Sequence, residues 1–192
     1  MVRIATVTRE TKETVIKVSV NLDGEGKAKI SSSIRYLTHM LTTLAHHSLI
    51  DIAVEAEGDL IHHISEDVAI CLGSAIKKAL GEEPKIKRFG SASAPMDDAL
   101  ASAALDLGGR RFCAIDLKTT GLCVEDMVVE DIYHFIRSFS DALQANIHLH
   151  IQYGDNDHHK VEAAFKALAL ALREAVEEDP RRKTVPSTKG VL

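Results

Sequence analysis

"IHHISED" (61–67) and "DHHKVEA" (157–163) both contain His-His-x-x-Glu, as His62, His63, Glu66 and as His158, His159, Glu162. The two copies stand about half the chain apart, and a duplicated half-domain accounts for that. In a helix each histidine lies three or four residues from its glutamate and can share a face with it, whereas the adjacent histidines point roughly 100° apart. Two neighbouring imidazoles therefore reach different ions.

Working outward from each copy, the element order repeats. "KETVIKVSVNL" (12–22) alternates Thr14, Ile16, Val18, Val20 and Leu22 against polar positions, the pattern of a half-buried strand. "DGEG" (23–26) reads as a hairpin turn and "KAKIS" (27–31) as the returning strand. Ile34, Leu37, Leu41 and Leu44 then form a helical stripe ending near His47 and Ser48, followed by the strand "LIDIAVEAE" (49–57). The first motif opens the next helix, whose apolar face runs from Val68 to Leu80 and which stops at Gly81. Beyond Pro84 the order returns, with strands at 86–94, 99–107 and 110–118, a helix at 126–141, a strand at 144–152 and a helix at 157–178. The expectation is an α+β protein of two β-β-β-α-β-α half-domains, with helices packed on one face of the sheets. Its boundaries are 1–83, 84–180 and a C-terminal tail at 181–192.

Two more histidines occupy matching places, His39 lying 23 residues before His62 and His134 lying 24 before His158. His39, His62, His63, Glu66, His134, His158, His159 and Glu162 make a candidate ligand set for two ions with about four ligands each, leaving positions open for substrate. Six imidazoles and two carboxylates without a thiolate suit Mn, Fe or Zn. His46 and His148 have no such matched partner and are read as ordinary helix-surface and strand residues. Cys71, Cys113 and Cys123 lack metal-ligand spacing and are read as small buried apolar residues.

The composition narrows the function. A net charge of −5 disfavours a broad nucleic-acid surface, leaving only a local basic cluster at Arg181, Arg182, Lys183 and Lys189. No apolar run approaches the ~20 residues of a membrane span, and "MVRIATVTRETKET" (1–14) has no signal-peptide core, so a cytoplasmic protein is expected.

In "RETKET" (9–14), "HML" (39–41), "HHISED" (62–67), "LGSAIKKALG" (72–81), "IKRFGSASAPMDDAL" (86–100), "LDLGGR" (105–110), "HFIRS" (134–138), "GDNDHHKVEAAFKALALALREA" (154–175) and "STKG" (187–190), the chain resembles the imidazoleglycerol-phosphate dehydratase family of histidine biosynthesis. The resemblance covers almost the whole chain. It implies dehydration of D-erythro-imidazoleglycerol phosphate to imidazole-acetol phosphate. It also implies two Mn ions per site, with Zn or Fe as substitutes, and a homo-oligomeric shell of 24 subunits with sites at subunit interfaces.

The family's ligands fall on the eight residues already singled out. Its substrate contacts fall on Glu13, His47, Arg88, Arg110, Lys166, Ser187, Thr188 and Lys189; guanidinium, ammonium and hydroxyl donors suit the phosphate. Glu13, Glu162, His63 and His159 are the candidate catalytic residues, with Glu13, Glu162 or a metal-bound water as the group that moves the C–H proton. The chain departs from the family pattern at Thr38, where the family carries Asp, and at Thr43, His46 and Ser48. It departs again in a shorter "GDLIHH" loop (58–63) and in "PMDD" (95–98). Two other classes fit a dinuclear site with basic residues nearby: a metal-dependent phosphohydrolase, and a non-catalytic metal-binding shell protein.

Overall fold

The computed structural model describes residues 2–82 and 84–190. Glu83, at the expected boundary, and Val191 and Leu192, at the end of the expected tail, lie outside the described residues.

Each half builds a four-stranded sheet. The first contains β1 (Ile4–Glu10), β2 (Thr14–Asn21), β3 (Ala28–Ser31) and β4 (Asp51–Gly58), with helices α1 (Arg35–Ser48) and α2 (Ile61–Leu80). The second contains β5 (Phe89–Met96), β6 (Ala99–Asp106), β7 (Phe112–Asp116) and β10 (Asn146–Tyr153). Between β7 and β10 come a short hairpin, β8 (Cys123–Val124) and β9 (Met127–Val128), and helix α3 (Val129–Leu143); α4 (Asp157–Val176) closes the half. The sheet orders are β1-β2-β4-β3 and β5-β6-β10-β7. In each, the first two pairings are antiparallel and the last is parallel. The half-domain duplication expected from sequence is therefore present in both four-stranded sheets, and the second half adds the β8–β9 hairpin.

One turn differs from expectation. "DGEG" does not join a hairpin, because β4 inserts between β2 and β3. Asp51 at the head of β4 accepts the Glu25 and Lys27 N–H groups at 2.9 and 2.8 Å, folding the 23–27 segment over the strand end. The true first hairpin joins β1 to β2 through Thr11, whose hydroxyl accepts the Glu13 and Thr14 N–H groups. The β8–β9 hairpin was not expected either. It delays the third helix from 126 to 129 and leaves Cys123 exposed, while Cys71 is buried and Cys113 half-buried; all three are free thiols.

The inner faces of β2, β4, β6 and β10 pack with the apolar faces of all four helices into one continuous core. α2 lies on β1 and β2 and against α3, while α4 lies on β5 and β6 and against α1. Each motif-bearing helix thus meets the penultimate helix of the other half. Alanines at 163, 164, 167, 169, 171 and 175 let α4 approach its sheet closely. At Gly90 a Cβ would stand 1.9 Å from the Ala171 carbonyl oxygen, so β5 has no room there for any side chain. Among the described residues no helix is long and apolar enough to cross a membrane.

Candidate metal centre

The crossed helix packing sorts the histidines. His39 on α1 meets His158 and Glu162 on α4, and His134 on α3 meets His62 and Glu66 on α2; in each trio the ligand atoms lie within 4.8 Å of one another. Each trio is therefore shared between the halves, with three candidate ligands from a single chain. Glu162 Oε2 stands 3.0 Å from His39 Nε2 and 3.3 Å from His158 Nε2. His134 Nε2 stands 3.1 Å from Glu66 Oε1 but out of line for a hydrogen bond; the atom is shielded from solvent and has no hydrogen-bond partner among the described residues. A lone pair so placed suits a cation, because a buried polar atom left unpaired is otherwise costly.

His63 and His159 enter neither triad of their own chain. All four motif imidazoles nevertheless share one feature, an Nδ1 set against a carboxylate. The partners are Asp131 for His62 at 2.6 Å, Asp59 for His63 at 2.8 Å, Glu125 for His158 at 3.0 Å and Asp98 for His159 at 2.5 Å. A carboxylate on Nδ1 holds the proton there and turns the Nε2 lone pair outward, the usual support of a metal-binding histidine. Asp59 raises the pKa of His63, and Asp98 raises that of His159. A cation taken up by either ring must therefore displace a proton held more tightly than usual.

None of these four carboxylates was singled out from the sequence. Asp59 lies four residues before His63 on the approach to its helix, a spacing that points to it, whereas Asp131 reaches His62 across the helix crossing with no such signal. Asp98 and Glu125 come from hairpin turns far off in the chain and have no local signal.

The donor set and the outward lone pairs fit a divalent cation of borderline character. The family model for imidazoleglycerol-phosphate dehydratase matches residues 32–172, across both triads. The chain belongs to the imidazoleglycerol-phosphate dehydratase family. The family member from Chloroherpeton thalassium is 50% identical over 193 residues, 99% of this chain and 98% of that protein. That from Dehalococcoides mccartyi is 48% identical over 191 residues, covering 99% and 97%. The crystal structure of the Pyrococcus furiosus enzyme in complex with (S)-C348 matches with a TM-score of 0.84 at 39% identity, covering 97% of this chain and all of that one. Membership of the imidazoleglycerol-phosphate dehydratase family makes this chain an enzyme, a hydro-lyase of the histidine pathway.

The substrate residues expected from the imidazoleglycerol-phosphate dehydratase resemblance separate into three places. Arg88 grips Asp106 through Nε at 2.6 Å and Nη2 at 2.9 Å, lies against Gly108, and donates Nη1 to the Pro186 carbonyl at 2.7 Å. That arginine therefore joins the Arg110 loop to the tail. In the tail, Ser187 Oγ accepts the Lys189 N–H at 3.2 Å and Gly190 closes the turn at φ +76°; the side chains of Thr188 and Lys189 are exposed.

Lys166 stands elsewhere. Its Nζ is 2.8 Å from Glu162 Oε1, beside the first triad. Burial works against the Glu162 carboxylate, but Lys166 and then His39 outweigh it and hold its pKa down to about 2. His47 is near enough to feel Lys166, and its pKa is lowered mainly by burial.

Glu13 sits exposed on the β1–β2 turn, with Oε2 3.7 Å from His63 Nδ1. The turn is anchored by the buried Asp67, which accepts Arg9 Nε at 2.7 Å and the Thr14 hydroxyl at 2.5 Å. Thr38 Oγ1 donates to the Ile34 carbonyl at 2.9 Å, one turn back on α1.

Proposed function

We propose that this chain dehydrates D-erythro-imidazoleglycerol phosphate to imidazole-acetol phosphate, using two divalent cations, Mn with Zn or Fe as substitutes. The two crossed triads, with a carboxylate behind every motif imidazole, carry this reading. His39, His158 and Glu162 hold one ion, and His62, Glu66 and His134 hold the other. His63 and His159, prepared in the same way but turned away from both triads, complete sites on neighbouring copies. The working form is therefore a homo-oligomer with sites at subunit interfaces, and a 24-subunit shell fits this. The division of labour follows the boundaries 1–83, 84–180 and 181–192, in a protein of the cytoplasm.

Bound at the triads, the cations supply Lewis acidity toward the substrate imidazole. The rest falls to the chain. Arg88, Arg110, Ser187, Thr188 and Lys189 hold the phosphate dianion from the corner where loop and tail meet, and Lys166 adds a further cationic contact beside Glu162. Glu13 takes the C–H proton, because its carboxylate has no ion-pair partner among the described residues nearer than His63. Glu162 is committed to its triad and to Lys166 and stays ionised there. His47 contacts substrate from the end of α1.

Incubating Mn-loaded protein with imidazoleglycerol phosphate tests this, with the ketone as expected product. Release of inorganic phosphate instead would identify a phosphohydrolase, and no turnover by a fully loaded protein would leave a metal-binding shell.

A further inference from the structure

The two-residue turn Glu125–Asp126 joins β8 to β9, and Glu125 has φ +53°. A non-glycine residue holds that left-handed conformation only at an energetic cost, and the first central position of such a hairpin usually belongs to glycine. The turn is not a loose loop, since Val124 and Met127 on either side are buried in the core at 3% and 2% exposure. One turn side chain touches the triad itself and the other braces the helix that carries His39. Glu125 Oε1 meets His158 Nδ1 at 3.0 Å. Asp126 accepts the Arg35 and Tyr36 N–H groups at 2.7 and 2.8 Å, capping α1, whose own Ile34 offers no side-chain cap. His39 lies one turn further along that helix. Tyr36, buried between them, packs its ring 5.2 Å from His158 and 6.4 Å from His39. The other triad has no such hairpin and rests on the buried Asp131.

We infer that Glu125 is a positioning residue for the His39–His158–Glu162 site, retained in a strained conformation because its carboxylate fixes the His158 tautomer and aims Nε2 at the ion. This rests on the reading of the triads as metal sites. Backbone and side chain make opposite demands at this position, which gives the assignment a signature that a structural role lacks. Glycine relieves the strain and removes the carboxylate.

The test is Mn binding by competition with a chelator, alongside the melting temperature of metal-free protein, for wild type, Glu125→Gly and Glu125→Gln. Wild type binds two ions per chain. Glu125→Gly melts no lower than wild type, yet one ion binds about 10–100-fold more weakly while the other is unchanged. Glu125→Gln keeps both the strain and an acceptor oxygen, so its loss is smaller than that of Glu125→Gly. Unchanged affinity at both sites in Glu125→Gly overturns the assignment, as does equal weakening of both with a lowered melting temperature. A wild-type chain that binds fewer than two ions overturns the metal reading, and this assignment with it.

Discussion

The helices α2 and α4 carry the same ligands at the same spacing and differ in what stands behind them. On α4, Glu162 is backed by Lys166 four residues later; the corresponding position on α2 is Ile70. On α2, Asp67 ties the helix to Arg9 and Thr14 and so to the Glu13 turn; its counterpart on α4 is Ala163. His62 leans on a buried aspartate from the other half, whereas His158 leans on an exposed glutamate from its own. Ligand geometry is tied to the helix period and the crossing of α1 with α4 and of α2 with α3, so it survives in both copies. The supporting groups are bound by no such period and have diverged.

Removing a ligand should have the largest effect. Glu66→Gln and Glu162→Gln should each release one of two ions and lower turnover by more than about a hundredfold, the upper range for loss of a merely supporting group. Elemental analysis checks this, and loss of both ions from either variant would mean that the triads do not bind independently. Next come His63→Ala and His159→Ala, which should leave the triads of their own chain assembled but weaken contact between copies. Sedimentation with and without chelator should show wild-type particles shrinking on metal removal and both variants already small; particles indifferent to chelator would break the interface reading.

Smaller effects compare the packing of the halves. Gly90→Ala drives a Cβ into the α4 backbone, whereas Gly73→Ala meets Phe139 oxygen at 2.7 Å where α2 crosses α3. Denaturant titration should show a loss of about 1–3 kcal/mol or more for Gly90→Ala and a lesser loss for Gly73→Ala. The smallest concerns Asp51, which holds the 23–27 segment in the first half. Its pKa is lowered by the Lys27 N–H, and also by that of Glu25. A depressed folded pKa means stability that is present above the unfolded value near ~3.9 and lost as pH falls through the folded one. Asp51→Ala should cost about 1 kcal/mol at neutral pH, as the loss of a backbone-capping acceptor does, and should flatten the decline of stability below about pH 4. An unchanged acid limb would assign that decline to other carboxylates.

Much of this architecture was legible in the residues. The alternation of Ile16, Val18 and Val20 and the stripe of Leu37, Leu41 and Leu44 report strand and helix because burial imposes those periods. Spacing also singled out eight candidate ligands, and the fold gathers six of them into two trios. Local pattern failed where strand order intervened: "DGEG" looks like a hairpin turn whether or not another strand enters between its arms. It also gave no sign of the β8–β9 hairpin, whose two-residue strands are too short to show a period.

The sequence by itself determined the duplication, the element order and the residue types able to hold a cation, since each depends on spacing within a few turns of chain. Only the tertiary structure decided that His39 serves the second copy and His134 the first. It alone left His63 and His159 outside both triads. Those choices follow from which helices cross and which way each side chain leaves its axis. Contacts between residues a hundred positions apart leave no period in the chain that carries them.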